Sequence, residues 1–189
     1  HPDITAPGNE ITSTRAPGTA VGAMGPVVDP NHPEYTLRYH TISGTSMSSP
    51  NACGSATLLV DQYNRLFGGA MRASTLKALL IHTADDIGNP GPDYFFGWGL
   101  INVKRAADLL IEQRDFPITQ HVTEGQVSST ITNRKYNFTW DGVSPIKATL
   151  AWTDPAGAAT LAHDSRTPTL VNNLNLKVIA PNGTEYFPF

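Results

Sequence analysis

The spacing of apolar residues changes once along this chain, near residue 116, and that change limits the folds open to it. From Ser46 up to that point the spacing is helical. Ala52, Ala56, Leu59, Val60 and Tyr63 follow Ser46 at helical intervals, and Phe67-Gly68-Gly69 supplies a stop. Ser74 to Thr83 reads as a second helix, with Leu76, Leu79, Leu80 and Thr83 on one face, and Val103 to Glu112 as a third, opened by Asn102 as N-cap. Residues 1 to 40, rich in Pro, Gly, Thr and Asn, read as loops joined by short strand pieces such as Glu10 to Ser13. After residue 116 the period is two. Gln126 to Thr132, Lys135 to Trp140, Ile146 to Trp152, Leu174 to Ile179 and Glu185 to Phe189 read as strands, with turns at Asp141-Gly142 and Asn182-Gly183. Strand following strand without a helix predicts an antiparallel sandwich. The expected organisation is an α/β portion over residues 1–115 and an all-β antiparallel sandwich over 116–189, divided between Arg114 and Val122.

Composition removes several functions. With 189 residues and 40% apolar content the chain can build a core, so global disorder is excluded. A net charge of −3, with no Lys/Arg cluster, leaves no electrostatic footprint for nucleic acid or an anionic membrane. The longest apolar run, around Ala78 to Ile81, is far short of the roughly 20 residues of a membrane span. Only 15% of residues are charged, and 16 Gly and 15 Pro point to many turns under a weakly charged surface, the balance of an exported protein. No leader stands at His1-Pro2-Asp3, so an export signal is expected upstream or already removed. The single cysteine, Cys53, has no internal disulfide partner and reads as a small buried residue of a packed helix.

Chemistry concentrates in Thr41-Ile42-Ser43-Gly44-Thr45-Ser46-Met47-Ser48-Ser49-Pro50. A hydroxyl at a loop-to-helix junction has free backbone N–H groups and the positive end of a helix dipole beside it, the setting a serine nucleophile needs. Gly44 lets a substrate backbone approach, and Pro50 suits the first helical turn, where a missing N–H costs nothing. The plainer reading makes Ser46 an N-cap.

The longer string favours the nucleophile. Gly44 to Pro50 resembles the Gly-Thr-Ser-Met-Ala/Ser-Ser/Thr-Pro motif of the subtilisin-like serine proteases, the subtilases. Pro2-Asp3-Ile4-Thr5-Ala6-Pro7-Gly8 is similar to their Pro-Asp-x-x-Ala-Pro-Gly segment, and Gly97 to Asn102 to their Gly-x-Gly-x-x-Asn segment, in the same order. The resemblance implies a subtilisin-like α/β catalytic portion whose catalytic residue here is Ser46, attacking a peptide carbonyl to form an acyl-enzyme. Gly44, Thr45, Ile42 and Met47 would line the substrate cleft, and Asp3 would be structural. It also implies that the catalytic Asp and His and the oxyanion-hole Asn precede this stretch, following the Asp, His, Ser order of subtilisin. None of His1, His32, His40, His82 and His121 stands in a catalytic-His motif, so each reads as structural or surface.

Protein or peptide substrates, secretion and a chemistry that needs no cofactor follow from the same resemblance. An ester hydrolase of the Gly-x-Ser-x-Gly type does not fit, since that elbow is absent. A non-catalytic pseudoprotease or binding module remains the alternative. The loop from Gly18 to Tyr39 could shape substrate access. In the second region Ile146 to Pro155, Leu170 to Leu176 and Ala180 to Thr184 resemble the jelly-roll-like sandwich that follows some subtilase catalytic domains. About five strands where a jelly roll has eight predict an incomplete sandwich with Tyr186, Phe187 and Phe189 as an unpaired edge. Asp154, Asp164 and Asn172 could hold structural calcium through oxygen ligands, with Asn173 weakening the case because the family often has Asp there. Asn137 and Asn182 head Asn-x-Thr sequons.

Overall fold

A computed structural model describes residues 2–16, 31, 38–119, 121–159 and 163–188. His1, His32, Phe189 and most of the Gly18–Tyr39 loop lie outside these. Two strands, β1 (Ile11–Thr14) and β2 (Tyr39–Ile42), pair antiparallel with Ile11 opposite Ile42 and Thr14 opposite Tyr39. Helix α1 (Thr45–Phe67) follows at once, then α2 (Ala73–Thr83) and α3 (Val103–Asp115), a 3-10 turn (Pro117–Thr119), and a two-residue hairpin of β3 (Val178–Ile179) with β4 (Glu185–Tyr186).

The helices stand where the spacing predicts, for the expected reasons. Helix α1 ends on Gly68 at φ 70, whose N–H donates to Asn64 O, a left-handed stop that glycine adopts freely. Helix α3 is capped by Asn102, its Oδ1 accepting from Arg105 N–H at 2.9 Å. The three helices bury Leu59, Leu79, Ala106 and Leu110 against one another, with Tyr63, Leu66 and Leu76 packed around them. Cys53, expected to be buried, is exposed. It stands six residues before Leu59, about 120° round the helix from the buried face. Leu58, about 100° from Leu59 on the opposite flank, is 66% exposed.

The motif segments at the two ends of the helical region meet. Thr5 N–H donates to Gly99 O and Ile101 N–H to Thr5 O, both at 2.9 Å, while Leu100 exchanges bonds with Asp85 at 2.8 and 2.9 Å. Thr5 and Leu100 run parallel and Asp85 antiparallel, so three short segments form one miniature sheet. Gly97, at φ 61, lies so close to the carbonyls of Pro2 and Asp3 that a side chain there would collide with them.

The second region departs from expectation. Residues 126–132, 135–140 and 146–152 carry the predicted alternation but form no ladder among the described residues. Alternation marks a face, whereas a strand also needs a neighbour for its N–H and C=O groups, and small two-stranded units are marginal by themselves. Tyr186, expected to be unpaired, stands opposite Val178 in the hairpin. The two turns form as predicted. Asp141 Oδ1 accepts from Val143 and Ser144 N–H at 2.9 Å, and Asn182 Oδ1 from Thr184 N–H at 3.0 Å, with Gly142 and Gly183 at φ 80 and 87.

Candidate active site

The residues the motif singles out gather at the β2–α1 junction. Ile42 ends β2 and is half-buried, Gly44 is the N-cap of α1, and Thr45, Ser46 and Met47 are its first three residues. Gly44 O accepts from Met47 N–H at 3.0 Å and Ser48 N–H at 3.3 Å, which starts the helix. The capping position therefore belongs to Gly44, and no side chain caps it. Ser46 is not the N-cap. Its hydroxyl has no hydrogen-bond partner among the described residues, and Ser46 is exposed. As the second helical residue it has no helical carbonyl behind its own N–H, so that donor faces outward beside its hydroxyl at the positive helix end.

Pro50 differs from expectation in one respect. It is the sixth residue of α1, one turn later than the sequence reading places it. A proline there cannot donate four residues back, and the carbonyl left without that bond is the one on Ser46. Next to the junction, Gly8 is packed against the helix start. A Cβ on Gly8 would lie 2.7 Å from Gly44 O and 2.8 Å from both Ser48 Cβ and Ser48 N.

No histidine or carboxylate among the described residues hydrogen-bonds Ser46. His40 is in β2 with a buried, unpartnered Nδ1, His82 lies on α2 with Nδ1 3.0 Å from Thr149 Oγ1, and His121 is 4.0 Å from Glu112. Asp3 bonds Lys77 Nζ at 3.2 Å, consistent with a structural role.

The three calcium candidates are partly assembled. Asp154 Oδ1 accepts from Asn172 Nδ2 at 2.8 Å and N–H at 3.0 Å, and its Oδ2 from Val171 N–H at 2.7 Å. Partial desolvation pushes this carboxyl upward, but the bonds from the Asn172 side chain and the two N–H groups outweigh it and hold Asp154 below the ordinary carboxylate range. Asp164, at φ 53, is not joined to the pair. Among the described residues no three His, Cys, Asp or Glu side chains converge as a metal cluster.

A profile of the subtilase family matches residues 1–99, which include the first two motif segments, the junction and the start of the third segment at Gly97. The chain belongs to the subtilase family. Similar subtilase relatives include the serine protease/ABC transporter B family protein tagA of Dictyostelium discoideum, 31% identical over 95% of this chain and 11% of that protein. An extracellular serine protease of Serratia marcescens is 32% identical over 63% of the chain and 12% of its own length. Subtilisin DY of Bacillus licheniformis is 35% identical over 52% of the chain and 34% of its own length. The chain spans about a tenth of the first two subtilase relatives.

What the sequence reading missed lies beside the subtilase motif. Asn9 and Ser43 are neither apolar nor part of a motif, and they meet in space, Ser43 Oγ donating to Asn9 Oδ1 at 2.8 Å. Asp85 is a second case. It joins Asn102 Nδ2 at 2.9 Å and Arg105 at 3.0 Å, tying the α3 cap to the miniature sheet.

Proposed function

We propose that the chain forms the nucleophile-bearing part of a subtilisin-like serine endopeptidase. The observation that carries this is Ser46 itself: exposed, second in α1, and relieved of capping by Gly44. A hydroxyl held at a helix start without a structural partner is free to react. Ser46 Oγ attacks the scissile carbonyl as a general base takes its proton. The developing oxyanion meets the outward Ser46 N–H, the amine leaves with a proton, and water releases the acyl group. The base, its orienting acid and the oxyanion Asn belong to the parent polypeptide ahead of His1. Gly44, Thr45, Ile42 and Met47 line the cleft that takes a protein or peptide substrate. We assign residues 1–115 to the peptidase unit and 116–189 to part of a β-sandwich. Extracellular relatives such as the Serratia enzyme support a secreted location. Structural calcium at Asp154 and Asn172 requires the Asn172 amide to turn its oxygen inward and Asp164 to approach.

Fluorophosphonate labelling of the full-length protein, with peptide mapping, tests the assignment. Label on Ser46, lost in Ser46→Ala, is expected. In subtilisin, loss of the nucleophile lowers kcat about 10⁶-fold, and a loss of that order is expected here. Absence of label on the folded full-length protein would instead identify a pseudoprotease.

A further inference from the structure

The residues that hold the Ser46 turn in place include several outside the motif segments. Three consecutive residues, Gly8, Asn9 and Glu10, bond to Ser43 and Gly44, just ahead of Thr45. Gly44 N–H donates to Gly8 O at 2.9 Å. Glu10 N–H donates to Ser43 Oγ at 2.7 Å, and Ser43 Oγ donates onward to Asn9 Oδ1 at 2.8 Å. One hydroxyl thus accepts from one residue and donates to its neighbour, and both roles point at the same short segment. The β1–β2 ladder begins directly beyond, with Ile11 opposite Ile42.

Glu10 adopts φ 52, a left-handed conformation unfavourable for a side chain that is not glycine. Such strain persists only where the surroundings over-determine it. Here the surroundings are the bonds on either side of Glu10. Since Gly44 O in turn receives Met47 and Ser48 N–H, the direction of the first helical turn depends on Gly44, and Gly44 is fixed from Gly8 to Glu10.

We propose that Asn9 and Ser43 are positioning residues for the Ser46 nucleophile, acting as a side-chain clasp that sets the angle at which α1 presents its first turn. Neither touches the reacting atoms. They act through Gly44, and the clasp rests on the reading of Ser46 as nucleophile given above. A misplacement of about 1 Å at a reacting group costs on the order of a hundredfold in rate, so loosening this turn is felt in reactivity before the fold is lost.

The test measures the rate constant for fluorophosphonate labelling of Ser46, together with kcat and KM on a peptide substrate, in the full-length protein well below its melting temperature. Asn9→Ala and Ser43→Ala are each expected to slow labelling and lower kcat by about tenfold with KM nearly unchanged, and the double variant to be no slower than either single one. Asn9→Asp, which keeps an Oδ1 acceptor, and Ser43→Thr, which keeps the hydroxyl, are expected to restore the rate. A purely structural clasp would lower the melting temperature and leave the rate per folded molecule unchanged, which overturns the inference while Ser46 remains the nucleophile. Additive losses in the double variant overturn it as well. If Ser46 in the unaltered protein takes no label, the functional reading fails and the clasp with it.

Discussion

Gly8 has no space for even a methyl group. With Gly44 O at 2.7 Å and Ser48 at 2.8 Å from an added Cβ, two of the three contacts are backbone atoms that cannot swing aside. Gly8→Ala is therefore expected to destabilise the fold by about 2 kcal/mol, within the range for overpacked sites, and to push the start of α1 outward. A lower denaturant midpoint with an unchanged m-value checks the first effect. The same resolution explains what could be read in advance. Gly8 and Ser46 stood in motifs, whereas Asn9 and Ser43 are small polar residues of a kind that fills any loop, and nothing but their 2.8 Å separation marks them.

Among the elements, the helices were legible because each carries its own period and punctuation, and their bonds close within the element. Asn102 shows how far such local signals reach. Its side chain caps α3 and also donates to Asp85 Oδ2 at 2.9 Å, so Asn102→Ala is expected to cost about 1 to 2 kcal/mol, at or above the usual value for a lost cap. Asn102→Asp keeps the capping oxygen but sets a second carboxylate against Asp85, and should recover only part of the loss in chemical denaturation. Strands were less legible because their bonds close on another element. The turn at Asp141 was readable for the opposite reason. The Ser144 hydroxyl, followed by the N–H groups of Val143 and Ser144, holds the Asp141 carboxyl down to about 2. A depressed acid contributes stability above its unfolded value near 3.9 that is lost as pH falls toward 2. Asp141 should accordingly remain ionised in a side-chain NMR titration until well below pH 3.

For the molecule as a whole, the join between the helical region and the following segment is the feature sensitive to mild acid. Burial, followed by the electrostatic influence of Lys147 and then His121, holds the His82 imidazole below its ordinary value, and its Nδ1 meets Thr149 Oγ1 across the join. The neutral ring is the favoured folded form. Its contribution is complete above about pH 6.5 and is lost as pH falls through the lower folded value. Melting temperatures measured from pH 7.5 to 5 should fall, and His82→Gln should flatten that fall; parallel profiles would refute the role of His82. Phe187 and Val143 are 69% and 86% exposed in the second region. The isolated 189-residue chain is therefore expected to self-associate in light scattering. A monodisperse sample that melts cooperatively would contradict this.

The miniature sheet of Thr5, Leu100 and Asp85 has a consequence in time. Thr5 lies three residues before Gly8, the residue to which Gly44 is bonded, and Thr5 is itself held by Gly99 and Ile101. A ribosome releases Ser46 long before it releases Leu100, and pairings so distant in sequence form slowly. During synthesis, therefore, the turn bearing Ser46 lacks its supporting floor until more than fifty further residues have emerged. A growing chain of this kind therefore carries the Ser46 turn in an unfinished seat until the last of these three segments has emerged.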